Sequence, residues 1–163
     1  LIALASSGPH SNGYSLIRKV LEVSRADLDD ELEGTPLADH LMAPTRIYVK
    51  PVLQLLETLP VKSLCHITGG GLPENLPRVL PDGIDAEIRL GSWPRGPLFD
   101  LIAELATGVD DRELHRMLNM GIGMIVVCGR DDVEAVQAAI PEETWQIGAL
   151  VHGQAGSRTV HLL

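Results

Sequence analysis

The segment Leu1-Ile2-Ala3-Leu4-Ala5-Ser6-Ser7-Gly8-Pro9-His10-Ser11-Asn12-Gly13-Tyr14 decides how this chain is read. The apolar run Leu1–Ala5 predicts a buried strand. A turn of small residues, Ser6 to Gly13, follows. An amphipathic helix then spans residues 14–23, with Leu16, Ile17, Val20 and Leu21 on one stripe. A turn of this kind leaves backbone N–H groups free at a helix start, where the dipole favours negative charge. That is the chemistry of a phosphate or carboxylate cradle, drawing on Ser7, Gly8, Ser11, Asn12 and Gly13. His10 adds a group able to donate, accept or carry a proton near neutral pH. The same residues also suit a plain helix cap, since Ser11 and Asn12 are good N-cap residues.

The pattern recurs at Ser63–Thr68, a second strand that carries His66 and runs into Gly69-Gly70-Gly71. Ligands in open α/β sheets lie outside the carboxyl ends of strands. If the two strands are parallel, His10, His66, Ser11, Asn12 and Thr68 surround one pocket; if antiparallel, that pocket fails. The three glycines allow close backbone approach to a ligand, and equally allow an irregular tight turn.

Between these strands, Asp27–Thr35 reads as an acidic surface turn with a short helical piece. Leu37–Met42 reads as a short helix stopping before Pro44. Lys50–Leu59 reads as a helix with Pro51 in its first turn and Val52, Leu55, Leu56 and Leu59 on its apolar stripe. Beyond them come a helix around Glu74–Val79, a half-buried strand Ile84–Leu90, and a Gly/Pro loop at 91–97. Helices Leu98–Ala106 and Asp111–Leu118 follow, then a third buried strand Gly123–Cys128. The chain closes with a helix Asp131–Ile140 capped by Asp131, and strands Trp145–Leu150 and Thr159–Leu163 joined by a Gly-rich turn. Strands alternating with helices predict an α/β or α+β class, a mixed sheet with helices packed on its faces.

Length and composition narrow the function. The 163 residues fit one domain, 1–163. Net charge is −9 and aromatics are 3%, which argues against a nucleic-acid partner. No apolar run reaches the roughly 20 residues of a membrane span. Cys65 and Cys128 lack metal spacing and read as buried thiols of a reducing cytoplasm. Cys65 and His66 point to opposite faces of a strand, so no metal site is expected there. The missing initiator Met and the strand at the first residue predict a piece of a longer protein without its N-terminal part. Asn119-Met120-Gly121-Ile122-Gly123 precedes a strand, the reverse of a dinucleotide fingerprint, and reads as glycine ending a helix with Asn119 projecting from it. Arg46 can fork onto a phosphate or serve a structural ion pair. His115 reads as lying on an exposed helix face; His40, His152 and His161 read as solvated or structural.

The strings SSGPHSNGYSL (6–16), PTRIYV (44–49), HITGGGLPEN (66–75), PRVLP (77–81) and NMGIGM (119–124) resemble, in order and spacing, the phosphoribosylformylglycinamidine cyclo-ligase, or aminoimidazole ribonucleotide synthetase, family. They span nearly the whole chain and match only that enzyme's C-terminal domain. His115 and Leu118 stand where the family often has Tyr and Phe. The resemblance implies the C-terminal domain fold of that superfamily and an ATP-dependent ligase of purine biosynthesis, a cytoplasmic homodimer when intact. That enzyme closes the imidazole ring of formylglycinamidine ribonucleotide, a small phosphorylated substrate, to give aminoimidazole ribonucleotide, ADP and phosphate. It implies ATP and Mg2+ held mainly by the absent N-terminal domain, and an isolated domain without activity or tightly bound cofactor. His10 and His66 are then the catalytic candidates. Ser7, Gly8, Ser11, Asn12, Gly13, Thr68, Gly69, Gly70, Gly71 and Asn75 are the substrate-binding candidates, with Arg46, Glu74 and Asn119 as further candidates. The alternatives are another superfamily member, such as a formylglycinamidine ribonucleotide synthetase or selenophosphate synthetase, or a non-catalytic nucleotide-binding module.

Overall fold

The computed structural model describes residues 1–163. In chain order it holds β1 (Ile2–Ala5), α1 (Tyr14–Ser24), β2 (Glu31–Leu32), β3 (Thr35–Pro36), α2 (Leu37–Met42), α3 (Val49–Thr58), β4 (Ser63–His66) and α4 (Gly71–Asn75). It continues with β5 (Ile84–Ile88), α5 (Pro97–Leu105), α6 (Asp111–Met117), β6 (Ile122–Val127), α7 (Val133–Ala139), β7 (Thr144–Gln146), β8 (Gly148–His152) and β9 (Val160–Leu162). The α+β class stands, but the expected mixed sheet is two larger sheets and a small hairpin. One sheet has strand order β4-β6-β1-β7, with every neighbouring pair antiparallel. The other has order β8-β5-β9, antiparallel on one side of β5 and parallel on the other. β2 and β3 pair with each other around Glu33 and Gly34.

β1 is apolar throughout because both faces of its sheet are covered. Leu1 and Ala3 join a core with Cys65, Ile125, Leu72 and Ile88, between the two sheets. Ile2 and Leu4 face the other way, into a core with Val52 and Leu55 of α3 and Val136 of α7. Each such fully buried Ile or Leu contributes about 1.5–3 kcal/mol. A third core lies among α1, α2, α5 and α6, around Ile17, Leu41, Ile102 and Leu114.

The stretch Trp145–Leu150 is not one strand. It turns a corner at buried Ile147. The Ile147 N–H donates to the Leu1 carbonyl at 3.0 Å, on the first sheet; its own carbonyl accepts from the Arg89 N–H at 2.9 Å, beside β5. Gly148 then lies so close to β5 that a Cβ there would overlap the Glu87 carbonyl oxygen. The last two strands do not pair with each other, since β5 lies between them. Buried Asp85 of β5 organises their connection. It accepts from the Ser157 hydroxyl at 2.5 Å and the Thr159 N–H at 2.7 Å, with His161 Nε2 at 3.3 Å. These donors hold its carboxyl below the usual range, the Ser157 bond most of all.

Three local expectations need correction. The helix expected at 74–79 begins at Gly71 and ends as a 3-10 turn over Leu76–Val79. Asp131 caps no helix: it lies inside a 3-10 turn, and α7 starts after Asp132, whose side chain makes no capping bond. Leu56 points away from the α3 core and is exposed.

Candidate active site

β1 and β4 each pair antiparallel with β6 between them, so they run parallel to each other. Their carboxyl ends therefore share one edge, and the two glycine loops come together there. Asn12 Oδ1 lies 3.7 Å from the place a Cβ on Gly69 would occupy. Both loops rest on the end of α6. A Cβ on Gly13 would overlap Leu118, and one on Gly71 would overlap the His115 carbonyl oxygen.

The cap reading of Ser11 and Asn12 fails. The N-cap of α1 is Gly13, in the left-handed region at φ 75°, and no side chain caps the helix. No acidic residue occupies its first turn. The leading N–H groups of this eleven-residue helix remain available to an anion.

His10 and His66 reach the same place by different routes. Tyr48 stands with both, its ring centroid 6.2 Å from that of His10 and 6.4 Å from that of His66. Tyr48 donates its hydroxyl proton to the Ala5 carbonyl at 2.7 Å. Gly123 makes room for both Tyr48 and His10, since a Cβ there would overlap the Tyr48 hydroxyl and stand 2.6 Å from His10 Cε1. Sequence reasoning missed Tyr48 as a site residue. Its signal was its place in the PTRIYV string, and its partner was the second glycine of the NMGIGM string.

The two imidazoles differ in kind. His66 is exposed at the end of β4, beside Arg46 and Tyr48. His10 is only 4% exposed and sits at φ 55°. Its Nε2 accepts from the Ser7 backbone N–H at 3.2 Å and faces the Arg46 backbone N–H at 3.5 Å, which assigns the ring proton to Nδ1. Nδ1 is buried and has no partner. Burial, then the neighbouring His66 and Arg46, push His10 down to about 4. At neutral pH His10 is an uncharged ring whose Nε2 is engaged by the Ser7 N–H.

That shift has a testable consequence. The folded ring binds its proton near pH 4, the unfolded one near 6.5. Between those values the unfolded chain takes up a proton that the folded chain refuses. Stability is therefore expected to fall as pH drops from 6.5 to 4, by on the order of 3 kcal/mol from this residue. Urea midpoints of the wild type and of His10→Asn, followed from pH 7 to 4, should converge as the pH falls. Parallel curves refute the assignment.

The other predicted residues divide into those that hold the loops and those left open. Asn75 is buried, and its side-chain N–H groups donate to the carbonyls of Thr68, Gly69 and Gly71 at 3.2, 3.1 and 2.8 Å. Its Oδ1 accepts from the Thr68 hydroxyl at 2.9 Å. Asn119, fully buried, donates to the Gly8 carbonyl at 2.9 Å and accepts from the Gly121 N–H at 3.1 Å. Both asparagines shape the loops from beneath, where the sequence reading expected ligand contact. The Ser7 hydroxyl donates to the Pro44 carbonyl at 2.6 Å. Glu74 pairs with Arg116 at 3.1 Å. Ser11 and Gly69 are exposed, and Asn12, Gly70 and Arg46 are half-buried. Arg46 takes part in none of the chain's ion pairs.

His115 is buried rather than exposed, its ring edge-on to Trp93 with centroids 5.9 Å apart and its Nδ1 2.7 Å from the Asp111 carbonyl. Cys65 is buried and its thiol is pushed up to about 11 by burial, so it is chemically quiet. No group of three or more His, Cys, Asp or Glu side chains is placed to hold a metal ion. No helix is long and apolar enough to cross a membrane.

An α+β domain whose two strand-end glycine loops meet at one sheet edge, with His10 and His66 on either side of Tyr48 but lining separate hollows, is the class these features define. The chain belongs to the family of AIR synthase related proteins as their C-terminal domain, with residues 1–161 matching. It is 48% identical over 164 residues to a phosphoribosylformylglycinamidine cyclo-ligase of Methylobacillus flagellatus. That match covers 98% of this chain and 47% of the relative, in its C-terminal part. The chain thus spans about half the length of that curated relative. Among solved structures, it resembles thiamine-monophosphate kinase from Stenotrophomonas maltophilia, with TM-score 0.58 and 18% identity over 99% of this chain and 49% of that one. It also resembles HypE, a hydrogenase maturation protein of E. coli, with TM-score 0.56 and 24% identity over 98% and 46%. At those identities the likeness concerns the fold alone.

Proposed function

We propose that this chain acts as the C-terminal half of an ATP-dependent cyclo-ligase that converts formylglycinamidine ribonucleotide to aminoimidazole ribonucleotide, ADP and phosphate. The observation that carries the reading is the 48% identity to a cyclo-ligase across 98% of the chain. The meeting of both glycine loops at one sheet edge supports it.

On this reading the γ-phosphoryl group of ATP moves to the formamide oxygen of the substrate. The amidine nitrogen then attacks that carbon, phosphate leaves, and the ring closes. The protein's part in the phosphoryl step is positioning and charge stabilisation. The open N–H groups of α1, with Ser11 and Asn12, bind a phosphate group. Arg46 adds a cation free to fork onto phosphate oxygens. His66 donates to or takes a proton from the reacting amide, while neutral His10 keeps loop 6–13 in shape. The chain gathers no cluster of three or more carboxylate, imidazole or thiol groups; the proposal assigns magnesium-bound ATP to the N-terminal half, and no step here runs through the metal. The intact enzyme is a cytoplasmic homodimer, and this domain alone is inactive.

Fused to the N-terminal half of the Methylobacillus cyclo-ligase, the chain is expected to yield aminoimidazole ribonucleotide and ADP in equal amounts from ATP and formylglycinamidine ribonucleotide. The unfused chain yields none. A folded fusion that forms no product, beside a working Methylobacillus enzyme, overturns the proposal.

A further inference from the structure

Helix α3 carries two apolar stripes. Pro51, Val52 and Leu55 face the sheet and are buried. Val49, Leu53 and Leu56 lie on the other side, four and then three residues apart, and are 60%, 55% and 47% exposed. Ile47, just before the helix, is 77% exposed and extends the second stripe. A groove of about 480 Å³ runs along it, with Leu64 and Met124 also in its wall. Arg46, Tyr48 and His66 line the same groove. Other large exposed apolar residues, such as Val23, Leu28 and Met117, are scattered along the chain.

A helix apolar on two sides is packed on two sides in a finished structure. A contiguous exposed apolar strip marks an interaction surface. We infer that this strip is the docking face for the N-terminal half of the cyclo-ligase, an inference that rests on the function proposed above. Two observations select that occupant. The groove is continuous with the candidate active site, because Tyr48 and His66 belong to both; a body lying on Leu53 and Leu56 also borders His66 and Arg46. The chain spans only 47% of the Methylobacillus relative, so that relative's remaining length is a body large enough to cover the strip. The apolar contact then sets the distance across which the two halves present their substrates to each other.

The test is Leu53→Glu/Leu56→Glu, made in the isolated chain and in the fusion with the Methylobacillus N-terminal half. Both side chains are half-exposed, so the isolated chain is expected to melt as the wild type does. In the fusion, the pair is expected to split one unfolding transition into two and to slow ring closure at least tenfold. Val49→Ser/Leu53→Ser is the milder pair should the first fail to fold, with the same expected direction. A wild-type fusion that closes rings, with variants that keep its rate and its single transition, overturns the inference and leaves the function standing. A wild-type fusion without product whose single transition still splits in the variants upholds the docking face and removes the cyclo-ligase reading. Should the isolated chain pair with itself in sedimentation, lose that pairing in the variants, and show no change in the fusion, the occupant is a second copy and the inference falls.

Discussion

Gly71→Ala is expected to destabilise the chain by about 3 kcal/mol or more, enough to lower the melting temperature by roughly 10 °C in a domain of this size. Gly71 has φ 56°, a left-handed conformation that costs any side chain about 1 kcal/mol or more. The larger part is steric. An added Cβ would overlap the His115 carbonyl oxygen and stand 3.0 Å from that of Leu118. Both belong to backbone at the end of α6, which also supports Gly13 of the other loop. The neighbours cannot yield without moving both loops. Gly91 and Gly108 provide the control: they have φ of 82° and 87°, with nothing within 4 Å of an added Cβ. Alanine at either should cost only the conformational part, about 1 kcal/mol. Thermal melts of the three variants separate packing from backbone preference. Equal losses at all three would show that the close approach at Gly71 is unimportant.

In the active fusion, His66→Asn is expected to lower turnover about 100-fold while leaving the melting temperature unchanged. The His66 side chain is exposed, while its backbone is paired with Met124 in the sheet, so replacing the ring leaves the ladder intact. Its ring touches Tyr48 and borders Arg46, at the joint edge of both loops. Loss of a proton-handling group should appear in kcat and in the pH profile more than in KM. His10→Asn should behave in the opposite sense, costing stability at neutral pH through the lost Ser7 contact. Unchanged turnover in His66→Asn would remove His66 from the reaction.

How far these elements can be read from residues alone depends on where their partners lie. β1, α1, α2 and β4 are legible because each carries its own apolar pattern and its own stop. The corner at Ile147 is hidden because alternation continues unbroken through it, while the cause lies in the β5 backbone some 60 residues upstream. Leu56 reads as core because a helix with two apolar stripes resembles one with a broad stripe. His115 reads as solvated because its cover, Trp93, comes from a distant loop. At the site, the open residues Ser11, Asn12, Gly69 and Arg46 are plain from residue type. The burial of His10 beside the exposure of His66 is not, since sequence carries no direct record of burial. Asn75 and Asn119 look like ligand contacts for the same reason: an amide that shapes a loop from below has the same composition as one that greets a ligand from above.

The corner at Ile147 has a consequence for how the chain comes apart. One peptide unit after another there ties each sheet to the other, donating on one side and accepting on the next. Peeling β8 from β5 strains the bond to Leu1, and loosening the end of β1 strains the bond from Arg89. The two sheets are thereby yoked, so a local fluctuation that frays either one carries a cost in both, and the domain is biased to open all at once rather than in halves.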